Sequence, residues 1–187
     1  MATAVLGISG SPRKDGNTDV TVKMVLEELG KGGLATEFLR IADYRIKRCE
    51  GCRKCMSAGE CAIKDDDFAR VLGRVECSHL VIIGSPVYWN GPPGVLKDFI
   101  DRTHGFYLDR GHFAGKKFGI LSVAADSGFE NQEAILESWI RSYGGEIVGK
   151  VRVLAREKGE VLSRPSELGK LNDFSACLLR SIQRGKR

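Results

Sequence analysis

The chain has 187 residues, 42% of them hydrophobic, and a net charge of +5. This length suits one well-buried α/β domain and is short for two, so we predict a single domain over residues 1–187. No stretch is long and apolar enough to span a membrane, and the first residues lack the order of a signal peptide, so we expect a cytoplasmic protein without a membrane partner.

Basic residues concentrate at 40–54 and 180–187. No recognised nucleic-acid motif accompanies them, and a solvated basic face is the commoner reason for such a cluster. We therefore predict no nucleic-acid partner. The first patch could instead meet an acidic redox protein.

The chain begins with a predicted strand, loop and helix. An apolar run at 4–6 precedes a polar loop at 7–18, which we call the phosphate loop. The apolar residues after it have the spacing of one helix face: Val22, Val25, Leu26 and Leu29. Such a loop directs backbone N–H groups and the positive end of a helix dipole toward one point. Polar donors are added by Ser9, Ser11, Arg13, Asn17 and Thr18.

The sequence of the phosphate loop excludes two common phosphate-binding motifs. A P-loop ends in Gly-Lys-Ser/Thr, whereas Gly16 is followed by Asn17 and Thr18, and the glycines do not fit G-x-G-x-x-G. Several hydroxyls without a metal-coordinating partner suit the phosphate monoester of FMN better than a triphosphate. The alternative interpretation is a polar turn with an ordinary helix cap.

Strands and helices alternate along the rest of the chain. Further strands are predicted at 36–41, 79–83, 117–124 and about 147–153, and 155–164 is interpreted as a charged connection. The intervening helices present apolar faces formed by Phe68, Val71, Leu72 and Val75; Leu96, Phe99, Ile100 and Thr103; Leu136, Trp139, Ile140 and Tyr143; and Leu171, Phe174, Leu178 and Ile182. This alternation predicts an open, doubly wound, five-stranded parallel sheet of order 2-1-3-4-5, with helices on both faces.

Three loops leave the carboxyl ends of central strands, where ligands of such sheets bind. In the second, residues 85–93, which we call the aromatic loop, Tyr88 and Trp89 offer flat faces to an isoalloxazine ring. Asn90 and the backbone near Val87 could hydrogen-bond its polar edge. The turn at 126–128, after the fourth strand, could close over the ring. Alternatively, the two aromatic side chains are packed in the protein.

Three strings resemble the NAD(P)H-dependent FMN reductase branch of the flavodoxin-like proteins. They are Gly-Ser-Pro-Arg-Lys-Asp-Gly-Asn-Thr at 10–18, Gly-Ser-Pro-Val-Tyr at 84–88 and Leu-Lys-Asp-Phe-Ile-Asp-Arg at 96–102. The resemblance covers most of the chain and implies a flavodoxin-like fold and FMN as cofactor. It implies phosphate contacts from Ser9, Ser11, Arg13, Asn17 and Thr18, and ring contacts from Pro86, Val87, Tyr88, Trp89, Asn90, Asp126, Ser127 and Gly128.

Six cysteines in a chain expected in the cytoplasm indicate metal or redox chemistry rather than disulfides. Four lie within thirteen residues, in a cysteine loop at 47–64: Cys49, Cys52, Cys55 and Cys61. Ferredoxins hold three irons of a cubane by C-x2-C-x2-C spacing, and Cys61 could supply the fourth ligand. Structural zinc and a metal-free loop are the alternatives. We expect Cys77 and Cys177 to be small buried residues.

The compact four-cysteine pattern is similar to the iron-sulfur flavoproteins, and this resemblance implies a 4Fe-4S cluster beside FMN in one subunit. Our leading hypothesis is an FMN-dependent oxidoreductase in which a ferredoxin-like donor passes electrons through the cluster and FMN to a small acceptor. No side chain need act as acid or base, so we predict no catalytic residue.

Two other functions remain open. One is a cluster-free reductase that takes hydride from NAD(P)H onto FMN and reduces quinones or free flavin. The other is a non-enzymatic redox sensor or a zinc-binding module. Because the cysteine loop leaves an edge strand, we also expect a homo-oligomer in which cluster and flavin approach each other across a subunit contact.

Overall fold

The computed structural model describes residues 4–184. Five parallel strands form one sheet of order β2-β1-β3-β4-β5, which confirms the predicted topology. The strands are β1 (Ala4–Ser9), β2 (Ala35–Arg40), β3 (Leu80–Pro86), β4 (Lys117–Ala124) and β5 (Glu146–Leu154). Every connection returns to the same end of the sheet, so all the strands end at one edge.

Helices cover both faces of this sheet. They are α1 (Asn17–Lys31), α2 (Cys55–Ala58), α3 (Phe68–Cys77), α4 (Gly94–Arg102), α5 (Phe129–Ser142) and α6 (Pro165–Arg184). One core packs α3, α4 and α5 against the strands, and a second core packs α1 and α6 against the opposite face. Alternate residues of β1 divide between the two: Leu6 and Ile8 face the first, whereas Val5 faces the second.

Several element ends differ from the predicted ones. β1 continues to Ser9 and β3 to Pro86, so both ligand-edge loops begin later than the apolar runs suggest. Thr103 lies just beyond α4, in a 3₁₀ segment, where its hydroxyl donates to the Ile100 carbonyl at 2.7 Å. That local bond competes with continuation of the helix. Tyr143 similarly follows the last residue of α5.

The expectation for Cys77 is wrong, because this side chain is exposed. The inner face of α3 is set by Val71 and Val75, and a residue two positions further along a helix points away from that face. Cys177 is half-buried, and its thiol donates to the Val148 carbonyl at 3.4 Å.

The segment 155–164 is more than a charged connection. It contains a 3₁₀ segment, Glu160–Ser163, whose Val161 is fully buried in the core beneath α1 and α6. Within residues 4–184, no helix has the length and apolar character needed to cross a bilayer. The predicted basic tail at 180–187 extends beyond the described residues at 185–187.

Candidate functional site

A cavity of about 260 Å³ opens at the carboxyl edge of the sheet. Four segments line it: the phosphate loop, the aromatic loop, the end of β4 and the start of the segment after β5. The lining residues are Ser11, Arg13, Gly16, Asn17, Thr18, Pro86, Val87, Tyr88, Val123, Ala124, Ala125, Ala155 and Arg156. Two of these segments, the phosphate loop and the aromatic loop, are among those that the sequence predicts, whereas the turn predicted at 126–128 lies outside the lining. The segment after β5 brings a second guanidinium, Arg156.

A buried carboxylate braces the phosphate loop from below. Asp19, in the first turn of α1, accepts the Ser9 hydroxyl through Oδ1 and the Asp15 N–H at 2.8 Å through Oδ2. Asp15 has a left-handed backbone, with φ of 52°. Ser9 is therefore fully buried beneath the loop and is not part of the cavity lining. Nothing in the sequence pattern singles out Asp19, because an acidic residue is common in a first helical turn.

The N-terminus of α1 lacks a side-chain cap. Gly16 occupies the N-cap position and makes no side-chain hydrogen bond. The first N–H groups of a helix need partners from outside it, and an anion can supply them. Ser11 is turned into the loop, where its hydroxyl accepts the Arg13 N–H at 3.1 Å.

The side chain of Asn17 joins the phosphate loop to the segment after β5. Its amide nitrogen donates to the Glu157 carbonyl at 2.7 Å, and its oxygen accepts the Val161 N–H at 3.3 Å. Asn17 lines the cavity, but both ends of its amide bind protein groups. The consequence is that Asn17 fixes the segment that carries Arg156, which also lines the cavity.

The aromatic loop ends in a tight two-residue turn. Tyr88 and Gly91 exchange backbone hydrogen bonds of 2.9 and 3.0 Å, and the central residues Trp89 and Asn90 have φ of 49° and 63°. Two left-handed central residues define a type I′ turn. The Trp89 side chain is 100% exposed and lies outside the cavity, whereas Tyr88 lines it. The Val87 N–H is already donated to the Val123 carbonyl at 2.8 Å.

The turn at 126–128 packs directly against the aromatic loop. Gly128 has φ of 89°, and a Cβ there would lie 2.6 Å from Asn90 Oδ1 and 2.9 Å from Val87 Cγ1. Only glycine permits this approach. The residues predicted to contact the ring that do not line the cavity include Asp126, Ser127, Gly128 and Asn90.

A buried glutamine supports the base of the aromatic loop. Gln132 of α5 donates to the carbonyls of Ser85 and Pro86, both at 3.0 Å. This brace fixes the point at which β3 turns into the loop. Sequence reasoning missed Gln132, since the residues it binds lie 46 and 47 positions earlier in the chain.

The cysteine loop forms a second candidate site. Cys49, Cys52, Cys55 and Cys61 line one cavity of about 120 Å³, next to the end of α4. The loop is tightly folded, with left-handed residues at Gly51 and Arg53. Within residues 4–184, no three His, Cys, Asp or Glu side chains are grouped closely enough to hold a metal ion.

The electrostatics of this loop disfavour several thiolates without a compensating cation. Burial raises the pKa of the Cys55 thiol, and the neighbouring thiols of Cys61, Cys49 and Cys52 raise it further. Bringing four sulfur ligands together is favourable when a metal centre neutralises them. Four thiols around one cavity are the kind of donor set that an iron-sulfur centre uses, although no three of them are grouped closely enough within residues 4–184 to hold a single metal ion.

The family comparison rests on most of the chain. The sequence model for NADPH-dependent FMN reductase matches residues 3–159. The chain belongs to the NADPH-dependent FMN reductase family. This membership confirms the family that the three sequence motifs indicate.

Relatives of this FMN reductase family member include proteins named iron-sulfur flavoprotein. One from Methanocaldococcus jannaschii is 40% identical over 108 residues, which is 56% of this chain and 55% of that protein. One from Archaeoglobus fulgidus is 34% identical over 172 residues, covering 88% and 76%. The matched region thus spans about half the length of the first relative and three quarters of the second.

Solved structures confirm the flavodoxin-like fold of this family member. An NAD(P)H:quinone oxidoreductase from Methanothermobacter marburgensis superposes with a TM-score of 0.76 at 16% identity, covering 95% of this chain and 98% of that one. An NADH:FMN oxidoreductase gives 0.74, also at 16% identity, with 96% and 90% covered. At these identities the likeness establishes the fold.

Proposed function

We propose that this family member binds FMN in the carboxyl-edge cavity and a 4Fe-4S cluster on the cysteine loop. In this proposal it accepts electrons from a ferredoxin-like donor and delivers them to a small acceptor. The observation that carries the proposal is the convergence of four loop segments on one cavity that has an uncapped helix N-terminus and two guanidinium groups. FMN, when bound, supplies a ring that can exchange electrons in pairs or singly.

The phosphate loop would hold the FMN phosphate. Arg13 is exposed at the cavity, so its guanidinium is available for a charge-assisted hydrogen bond to a phosphate oxygen. The first N–H groups of α1 add donors and the helix dipole adds a favourable field. Asp19 acts on this site indirectly, by holding the backbone at Ser9 and Asp15.

The aromatic loop would hold the ring. The cavity is lined by Pro86, Val87 and Tyr88 of this loop, together with Val123, Ala124 and Ala125 at the end of β4. Apolar and aromatic surface binds a flat ring and excludes water from it. Gly128 and Gln132 keep this wall in place through the close approach and the carbonyl bonds described above.

The proposed cluster would be held by Cys49, Cys52, Cys55 and Cys61. Their placement around one cavity and the names of the relatives support it. A 4Fe-4S cluster would supply one-electron exchange. Exposed cations flank the thiols at Arg48, Arg53 and Lys54, which suits an acidic redox partner such as a ferredoxin.

A second candidate is a cluster-free NAD(P)H-dependent reductase of FMN or quinones. The family description favours it, as does the absence, within residues 4–184, of a grouped metal-ligand set. In this case the nicotinamide would meet the exposed ring, and the cysteine loop would be a structural remnant or a thiol switch.

Anaerobic purification, a visible spectrum and iron and sulfide assays separate these candidates. The first predicts flavin peaks over a broad shoulder that bleaches on reduction, together with bound iron. Cys52→Ser should remove the iron and leave FMN bound, because the two sites lie on different loops. Cys77→Ser, at an exposed cysteine outside the loop, is the matched control and should change neither.

Three outcomes would contradict the leading proposal. Flavin peaks alone, with no iron and rapid bleaching by NAD(P)H, would establish the second candidate. A colourless protein that takes up neither FMN nor iron would leave a redox sensor or zinc-binding module. Loss of FMN together with iron in Cys52→Ser would show that the two sites are not separate.

A further inference from the structure

The guanidinium of Arg102 lies completely buried between the end of α4 and both ends of the cysteine loop. Its side chain is 0% exposed and that of its partner Asp66 is 1% exposed. Nη1 donates to Asp66 Oδ2 at 2.6 Å and to the Lys47 carbonyl at 2.9 Å, and Nη2 donates to the Ile63 carbonyl at 2.9 Å. Nε donates to Cys61 Sγ at 2.8 Å. All three nitrogens are therefore engaged.

Asp66 completes the same unit. Its Oδ2 accepts the Lys47 N–H at 2.8 Å, and its Oδ1 accepts the Phe68 N–H at 3.1 Å. The guanidinium carbon of Arg102 stands 4.5 Å from the centre of the Phe68 ring. The ion pair thus ties residue 47, at the start of the cysteine loop, to residues 61 and 63 near its end and to the start of α3 at 68.

A buried ion pair of this kind is a weak source of stability. Removing two charges from water costs much of what their attraction returns, and an apolar pair of similar volume can be equally stable. Its placement therefore calls for a role beyond stability. The five N–H groups of a guanidinium lie in one rigid plane, which suits Arg102 to fixing several loop atoms at once.

Cys61 is held differently from the first cysteines of the loop. Cys49 and Cys52 are exposed, and Cys49 Sγ accepts a backbone N–H, from Gly51, at 3.5 Å. Cys61 is half-buried and faces a fixed positive charge. Cys61 is thus held in place by a side chain at the end of α4, whereas Cys49 and Cys52 are exposed to solvent.

We propose that Arg102 is a positioning residue for the cysteine-loop cluster: it fixes Cys61 as the anchoring ligand and sets how firmly the cluster is retained and how easily it is reduced. This inference rests on the proposed function, because it requires a cluster on the four cysteines. Partners of metal ligands commonly change metal retention 10–100-fold when removed. N–H···S bonds and a nearby positive charge favour the reduced, more negative cluster.

The test compares Arg102→Gln, Arg102→Lys and wild type after anaerobic purification and reconstitution with iron and sulfide. For Arg102→Gln we expect the affinity for iron, measured by equilibrium competition with a chelator, to be about 10–100-fold lower. The cluster remaining should have a more negative midpoint potential, by electrochemical titration with EPR detection. Arg102→Lys keeps the charge without the planar donors, so its potential should lie between the two.

Two further variants separate positioning from stability. Arg102→Gln alone leaves the buried Asp66 carboxylate unpaired and could fail to fold for that reason. The double variant Asp66→Asn with Arg102→Gln removes both charges and avoids that cost. Arg152→Gln is the matched control, since it leaves the buried Glu133 without its guanidinium on β5, away from the cysteine loop. It should lower stability and leave the cluster's EPR signal and potential unchanged. Circular dichroism and FMN content report folding in each case.

The failures of the inference and of the proposed function are distinguishable. If wild type takes up iron but a folded Arg102 variant shows unchanged iron retention and midpoint potential, the role of Arg102 is refuted and the cluster stands. If wild type takes up no iron, the proposed cluster is refuted and this inference with it. If Arg152→Gln changed the cluster's midpoint potential as much as Arg102→Gln does, a positioning role for Arg102 would also be refuted.

Discussion

Arg13 is the side chain at the cavity for which the charge argument is simplest. It is exposed, it lines the cavity beside the uncapped start of α1, and its guanidinium suits a phosphate. Hydrogen bonds to charged groups contribute about 1.5–3 kcal/mol. We predict that Arg13→Ala weakens FMN binding by roughly 10–100-fold, measured by flavin fluorescence quenching.

The control for Arg13 is Arg141→Ala. Arg141 is an exposed arginine on α5 whose nearest carboxylate, Glu137, lies 3.8 Å away. It should leave the dissociation constant unchanged. An equal effect from both substitutions would assign the loss to net charge, and no effect from Arg13→Ala would remove Arg13 from the phosphate site.

Asp19 supports the same loop from within the protein. Both of its oxygens accept hydrogen bonds, one from the Ser9 hydroxyl and one from the Asp15 N–H. Asp19→Asn removes the negative charge that strengthens both bonds and replaces one of the two acceptors by an NH2 donor. We predict a loss of about 1–3 kcal/mol in the free energy of unfolding, measured by urea denaturation.

The control for Asp19→Asn is Asp173→Asn, at an exposed position on α6. Its free energy of unfolding should lie within about 0.5 kcal/mol of the wild-type value. FMN affinity should fall in Asp19→Asn as the loop loosens. A variant with wild-type stability would mean that the two bonds to Asp19 do not hold the loop.

At the scale of elements, the sequence predicted the sheet because its apolar runs and helix faces are local signals. It predicted the phosphate loop and the aromatic loop at the ligand edge for the same reason, whereas the turn predicted at 126–128 lies outside the cavity lining. The segment after β5 was interpreted as a connection, because the partners that shape it lie at Asn17, 140 and 144 residues away. The exposure of Trp89 could not be predicted either. It follows from a type I′ turn, and Trp-Asn is not a common sequence for that turn.

The bond between α1 and the segment after β5 gives an element-scale prediction. Asn17→Ala removes the acceptor of the buried Val161 N–H and the donor to the Glu157 carbonyl. We expect the amides of 156–163 to lose protection in hydrogen exchange by mass spectrometry, since local opening becomes easier.

Protection elsewhere should change less in Asn17→Ala. The exposed Asn172→Ala, on α6, is the matched control and should leave 156–163 protected. Unchanged protection in Asn17→Ala would show that Val161 packing alone holds the segment, and Arg156 would then not depend on Asn17.

At the scale of the molecule, α4 connects the two candidate sites. It begins just after the aromatic loop and ends at Arg102, which contacts Cys61. Nine residues at 1.5 Å each give a length of about 13 Å. The two sites are therefore joined by one rigid element within a chain, and the expected homo-oligomer is an additional route that stays a prediction.

The stability of the whole molecule in acid depends on three buried carboxyl groups. Burial alone would raise the pKa values of Asp66, Glu133 and Glu167, but hydrogen bonds and charge from Arg102, Arg152 and Lys170 respectively outweigh it. The three pKa values are therefore lowered from the ordinary 3.8 of Asp and 4.5 of Glu.

A lowered carboxyl pKa means that the unfolded chain binds more protons than the folded chain as pH falls. The stabilisation is complete above the ordinary pKa values and is lost as pH falls through the lowered pKa values.

We predict a free energy of unfolding that is level from about pH 7 to 5 and declines below about pH 4.5. Urea unfolding at saturating FMN measures it. Glu133→Gln with Arg152→Gln removes one of the three groups without leaving a buried charge unpaired, so its decline should be shallower. A decline as steep as that of wild type would show that the pair on β5 does not contribute to acid sensitivity.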